Sequence, residues 1–162
     1  MSKFRISFDL DDTLVCGQKN ARNEPNRVPL LLRFWLRDSL RLGTGELISK
    51  LSKQGFEIWI YTSSYRSVFY IRSWLMCYGI WVDRIINQKI HDRHSLRYSE
   101  QNRPSKNPNW FGIDLHIDDS KGVEIEGEKH GFSVLVVSPD EPDWVEKILN
   151  HVNFKTNYGF TR

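Results

Sequence analysis

The sequence predicts an α/β chain in which helices alternate with strands and cover both faces of a mostly parallel, doubly wound sheet. Two observations carry this. Several short runs, EIWIY (Glu57–Tyr61) and SVLVV (133–137) among them, are apolar almost throughout, as strands buried on both faces are, where a half-exposed strand would alternate. Between such runs the apolar residues recur at helical spacing, and strands separated by helices pair in parallel.

The elements follow in order along the chain. Residues 3–8 read as the first strand. TGELISKLSKQG then sets Leu47, Ile48 and Leu51 on one helical face, with Thr44 at the capping position and Gly55 at the stop. EIWIY is the second strand, and residues 65–78 carry Val68, Ile71, Leu75 and Tyr78 at helical spacing before Gly79. IWVDRIIN (80–87), IDLHI (113–117) and SVLVV supply three more strands, and Pro142 opens a last helix bearing Trp144, Val145, Ile148, Leu149 and Val152. At 162 residues a single domain over 1–162 is expected, with a flap region at about 14–43 and a basic loop at about 91–110.

Composition narrows the classes. With 40% hydrophobic and 27% charged residues the chain can bury a core, which argues against disorder. Its longest apolar stretches fall well short of the ~20 residues a membrane span needs. The first residues lead into the strand without an apolar leader, so a cytoplasmic protein with no membrane partner is expected. Cys16 and Cys77 fit neither a metal-ligand spacing nor a disulfide framework, and read as reduced thiols with Cys77 in the core. A net charge of +3 names no partner, but residues 65–110 hold six Arg and two Lys against three acids.

The acids raise the functional question. In RISFDLDDTLV, Asp9, Asp11 and Asp12 stand directly after the first strand, while Thr62 follows the second and Asp118 and Asp119 follow the fourth. Ligands of doubly wound sheets bind outside the carboxyl ends of the strands, so these residues converge on one edge. Repulsion among Asp9, Asp11, Asp118 and Asp119 calls for a cation there. An oxygen-only ligand set without His or Cys points to Mg²⁺. A calcium loop is a poor fit, because DLDDTLV lacks the glycine of that pattern and follows a core strand. Beside a metal, a carboxylate at a strand end can act as a nucleophile, and a second one two residues on can move a proton if the chain bends between them.

FDLDDTL resembles the first motif, hhhDxDxT, of the haloacid dehalogenase superfamily. IWIYTSS resembles its second motif, Lys106 in RPSKNPN lies in the region of its third, and LHIDDS resembles its fourth, so that the likeness runs over about residues 3–137. It implies a Rossmann-like core without a large cap domain, and a Mg²⁺-dependent phosphatase working through an aspartyl phosphate. By that resemblance Asp9 is the nucleophile and Asp11 the general acid and then base. Thr62 and the Ser63 amide hold the phosphoryl oxygens. Lys106 neutralises the nucleophile and the phosphoryl group, Asp119 completes a metal shell with Asp9 and the Asp11 carbonyl, and Asp118 supports Lys106 or the metal's waters. Thr13 and Arg103 join Ser63 as expected substrate contacts, Lys89 and Arg103 are the alternatives to Lys106, and Asp12 is a turn or outer-shell acid. The acid at Asp11 favours phosphate esters over carbon–halogen bonds. The fourth motif departs from the GDSxxD form, since Val123 stands where the family has an acid and Glu124 is one place off.

About 30 residues separate Thr13 from the helix at Thr44, room for a flap but not for a folded lid. An open site goes, in the family, with large phosphorylated substrates such as phosphoproteins or nucleic-acid ends. The loop 91–110 interleaves Arg, His, Tyr and Trp at a net charge of only +2, too few surplus charges to assign a nucleic-acid partner. A phosphotransferase using the same covalent step and a catalytically silent binding domain stay open as alternatives.

Overall fold

The structure, a computed structural model, describes residues 3–17, 22–98 and 104–158, with side chains as far as residue 155. Its strands are β1 (Arg5–Phe8), β2 (Glu57–Tyr61), β3 (Arg84–Ile86), β4 (Leu115–Asp118) and β5 (Val134–Val136). Its helices are α1 (Thr44–Lys53), α2 (Val68–Cys77), α3 (Gln88–Ser95), α4 (Lys121–His130) and α5 (Trp144–Tyr158). The strands form one sheet in the order β3-β2-β1-β4-β5, every pair parallel. The chain winds outward from β1 through β2 to β3, then crosses back to set β4 on the other side of β1. That reversal opens a crevice at the carboxyl ends of β1 and β4.

The two faces of the sheet differ in character. Successive strand residues point to opposite sides. Ile6, Phe8, Ile58, Ile60, Ile85, Leu115 and Ile117 pack on one side with Leu47 and Leu51 of α1, Trp74 and Leu75 of α2, and Ile148 and Val152 of α5. The other side holds Trp59, Tyr61 and Ile86 against Ile113, with Ile90 of α3 and Phe111 at its margin. Its cross-strand row runs from His116 through Ser7 and Trp59 to Arg84. Ser7 and His116 are fully buried there.

Several boundaries differ from the sequence expectation. The first five residues of the expected loop 91–110 belong to a helix: α3 is capped by the Asn87 side chain, which accepts from the Ile90 amide, and its inward face holds only His91 and Ser95 as buried residues. A helix with so little apolar surface leaves no hydrophobic period to read. The third strand shortens to three residues. The second helix starts at Val68, where the Ser67 hydroxyl accepts from the Tyr70 amide. Thr44 does not cap α1. Gly43, at φ 89°, holds that position, and the Thr44 hydroxyl donates to the Arg41 carbonyl. Of the two free cysteines, Cys16 is buried and Cys77 only partly so.

Among the described residues of the flap, the chain forms a 3-10 turn at Leu30–Leu32 and one antiparallel bridge between Asn23 and Arg41, with no folded lid. Arg41 anchors it. The guanidinium donates to the carbonyls of Thr13, Ser138 and Glu141 and lies 4.4 Å from the Trp144 ring centroid.

Gly127 of α4 touches the strand it precedes. A Cβ there would lie 2.7 Å from the Phe132 carbonyl oxygen and 3.1 Å from a Val134 methyl. Alanine favours a helix by about 1 kcal/mol over glycine, but overpacking against backbone costs about 1–3 kcal/mol. Gly127→Ala is therefore expected to lower the Tm in a thermal melt, against the helix-propensity trend.

Candidate active site

The turn after β1 separates the acids. The Leu10 carbonyl accepts from the amides of Thr13, Leu14 and Val15, and Asp12 adopts φ 58°, a left-handed conformation aspartate tolerates better than most residues. The chain doubles back, leaving Asp9 buried and Asp11 exposed. Thr13, an expected substrate contact, lies beneath this turn instead: it is fully buried, and its hydroxyl has no hydrogen-bond partner among the described residues.

Lys106 reaches the end of β1 from 97 residues away in sequence. Its Nζ donates to Asp9 Oδ1 and to Asp118 Oδ2, each at 2.6 Å, and all three side chains are buried. Asp118 also accepts from His116 Nε2 at 2.9 Å and, through Oδ1, from the Ser120 amide at 2.9 Å. An ionised carboxylate only accepts, so Nε2 of His116 carries a proton. His116 Nδ1 is 2.8 Å from Ser7 Oγ.

These contacts set the charges. Burial opposes ionisation of Asp118, but the bonds from His116 and Lys106 outweigh it and hold that carboxyl well below the usual range. Burial works to deprotonate Lys106, and the two carboxylates reverse the effect and hold it above an ordinary lysine. Asp9 is raised, chiefly by burial and with the Asp118 charge adding, against the pull of Lys106.

A second anchor fixes the backbone beside Lys106. The Tyr61 hydroxyl, at the end of β2, accepts from the Asn107 amide at 2.8 Å and shares a 2.6 Å hydrogen bond with His91 Nδ1. Burial keeps that phenol protonated, raising it above the ordinary tyrosine value. On the other flank, the Ser105 amide and hydroxyl donate to the Glu126 carboxylate of α4.

The remaining expected site residues divide. Asp9, Asp118 and Asp119 bring carboxylate oxygens within 4.8 Å of one another. Asp11 stands apart, its Oδ2 bound by Arg66 Nη1 at 2.8 Å, while the same guanidinium holds Asp38 at 2.9 Å. The expected repulsion among four acids is thus relieved in two places, by Lys106 for Asp9 and Asp118 and by Arg66 for Asp11. Thr62 is buried at the end of β2, and its hydroxyl accepts from the Ser64 amide. Ser63 is exposed, but it is not at a helix N-terminus: α2 begins five residues later at Val68. Lys89 is exposed on α3 and takes no part in the carboxylate cluster. Arg103 lies outside the described residues. Val123, in place of the family's acid, is buried on α4, and Glu124 is exposed.

Sequence reasoning missed Ser7, His116, Tyr61, Arg66 and Asp38. A signal existed for the first two. Ser7 and His116 stand two residues before Asp9 and Asp118, hence on the same face of the sheet, and a polar residue in a core strand at that spacing marks a support for the acid that follows.

Removing the Tyr61 hydroxyl would orphan a buried amide and a buried imidazole. Tyr61→Phe is expected to cost about 1–3 kcal/mol in chemical denaturation. An unchanged midpoint would remove Tyr61 as the anchor of the Lys106 loop.

Similar architecture occurs in solved structures. A chain of a Pnkp1/Rnl/Hen1 complex superposes with a TM-score of 0.56 at 16% identity, over 84% of this chain and 46% of that one. This chain therefore spans about half the length of that neighbour. A haloacid dehalogenase-superfamily hydrolase of subfamily IA from Geobacter sulfurreducens matches with a TM-score of 0.56 at 10% identity, over 93% of this chain and 96% of that one. The HAD domain of effector protein Lem4 from Legionella pneumophila matches at 0.54 and 15% identity, over 93% and 94%. No family model and no curated protein matches the chain. The five-stranded parallel sheet, with no large cap among the described residues, has the fold of the haloacid dehalogenase-like hydrolases.

Proposed function

We propose that the chain is a phosphatase that hydrolyses a phosphate monoester through an aspartyl phosphate on Asp9. The observation that carries this reading is the placement of Asp9: a buried carboxylate at the switch point of the sheet, 2.6 Å from the Lys106 ammonium, with Asp11 two residues further on. An ion pair of purely structural use has no need of a second acid at that spacing or of Asp119 beside it.

In the first step a carboxylate oxygen of Asp9 attacks phosphorus and the bond to the ester oxygen breaks, Asp11 delivering a proton to the departing alcohol. In the second, Asp11 takes a proton from water as the water oxygen attacks phosphorus, and the bond between the Asp9 oxygen and phosphorus breaks to release inorganic phosphate, leaving Asp9 a carboxylate and Asp11 the carboxylic acid with which the cycle began. Lys106 draws charge from Asp9 and the phosphoryl oxygens throughout, and Thr62 at the end of β2 is the candidate to hold one of those oxygens. Arg66 keeps Asp11 oriented at the rim from its bracing bond to Asp38. The oxygen-only set of Asp9, Asp118 and Asp119 fits a hard divalent cation such as Mg²⁺. Bound there, the ion would neutralise charge on the phosphoryl group.

The edge is open, with no folded lid over it among the described residues, and this favours a phosphate carried on a macromolecule. Among nucleic-acid and protein phosphates, the likeness in fold to a chain of a Pnkp1/Rnl/Hen1 RNA repair complex supports a nucleic-acid end.

Phosphate release is to be measured from sugar and nucleotide monophosphates, a phosphopeptide and 3′- and 5′-phosphorylated oligonucleotides, with Mg²⁺ and with EDTA. Release that requires Mg²⁺ and vanishes in Asp9→Asn is expected, and Lys106→Ala is expected to slow it by about a hundredfold or more. Activity persisting in Asp9→Asn would overturn the covalent mechanism. In a single turnover, Asp11→Asn should slow release of the alcohol from an alkyl phosphate by about 10²–10⁴ while slowing the first release of nitrophenolate from p-nitrophenyl phosphate much less, because nitrophenolate leaves without a proton. Equal losses on both would remove Asp11 as the acid.

A further inference from the structure

A groove of about 460 Å³ lies on the face of the sheet that carries Ser7 and His116, lined by Arg84, Ile90, Arg93, His94, Arg97, Trp110 and Phe111. Arg84 opens β3. Ile90, Arg93, His94 and Arg97 follow the i, i+3, i+4, i+7 spacing that gathers residues on one side of α3 and the turn after it. The rings of Trp110 and Tyr98 stack beside it, their centroids 4.3 Å apart and their planes 3° from parallel, and His91 stacks on Trp110 at 5.4 Å.

None of the three guanidiniums has a carboxylate partner among the described residues, whereas Arg5 and Arg66 are both paired. The acid of α3, Asp92, is engaged by Tyr65 and Gln88 instead. Like charges gathered in a groove without an acid are unfavourable until an anion fills it. An isolated anion would account for the arginines but not for the aromatic stack. Phosphates alternating with flat bases account for both. The groove is also near the site. The amide of Gln88, first residue of α3, donates to the Ser64 carbonyl just past the end of β2, and β3 is only about 10 Å long. Trp110 follows Lys106 by four residues.

We propose that this groove binds single-stranded nucleic acid, with Arg84, Arg93 and Arg97 on its phosphates and a base against the edge of the Tyr98–Trp110 stack. The identity of that strand as substrate rests on the phosphatase reading; its binding does not.

The test uses a fluorescein-labelled single-stranded oligonucleotide with hydroxyl ends, which offers no phosphate monoester, and follows anisotropy across a salt series. The combined Arg84→Ala, Arg93→Ala, Arg97→Ala variant should bind about tenfold or more weakly, and its slope of log K against log salt should fall by about two, at ~0.7 per phosphate contact. Arg93→Glu alone, a change on an exposed helix position, should weaken binding in the same direction. Unchanged affinity and slope in both variants would overturn the proposal. So would inorganic polyphosphate or an acidic phosphopeptide displacing the oligonucleotide at equal or lower phosphate concentration, since neither offers bases to stack. Arginine-dependent binding in a protein that hydrolyses nothing would overturn the phosphatase reading and leave the groove standing.

Discussion

One ammonium group organises the carboxyl edge of this sheet. The Lys106 Nζ sits between Asp9 and Asp118, 2.6 Å from each, with all three side chains buried. Two carboxylates brought together out of water repel each other and lose hydration, and an ion pair in that setting is tolerable only with good geometry and filled hydrogen-bonding capacity. Both conditions are met by neighbouring residues. His116 and the Ser120 amide fill the acceptors of Asp118, Ser7 holds His116, and Tyr61 fixes the amide next to Lys106. The polar row across the middle of the sheet makes sense as scaffolding for that one cation.

The same arrangement explains why the sheet has two unlike faces. Isoleucine, leucine and phenylalanine fill the side covered by α1, α2 and α5, and that side supplies the main core. The other side trades apolar area for a hydrogen-bonded chain that begins at Ser7 and ends at the carboxyl edge of the sheet. Its aromatic residues, Trp59, Tyr61 and Phe111, supply packing around polar atoms rather than a simple aliphatic layer. Arg66 plays the matching part at the rim, holding Asp11 away from the buried pair and tying it to Asp38 in the flap.

Much of this was legible in the chain itself. The continuous apolar strands, the helical periods between them, and the acids after the first and fourth strands are local patterns, and they led to the sheet, its edge and the candidate site. What escaped reading was non-local or weakly patterned. Arg66 meets Asp11 across 55 residues, and nothing near either position announces the pairing. Helix α3 contributes almost no apolar residues to the core, so it looked like a basic loop, and its arginines were averaged with Asp92, which Tyr65 and Gln88 engage. Thr13 and Ser63 sit in motif positions, yet the tight turn after Asp9 buries the first, and the late start of α2 leaves the second short of a helix end.

The claim that Lys106 is what makes the acidic pair bearable is tested most directly by a double-mutant cycle in denaturant. Lys106→Met strands two buried carboxylates and is predicted to cost about 3–5 kcal/mol. Adding Asp9→Asn should return part of that loss, because Lys106 is the hydrogen-bond partner of the Asp9 carboxylate and the amide removes a stranded charge. A stable Lys106→Met protein, or losses that simply add in the double variant, would contradict the account.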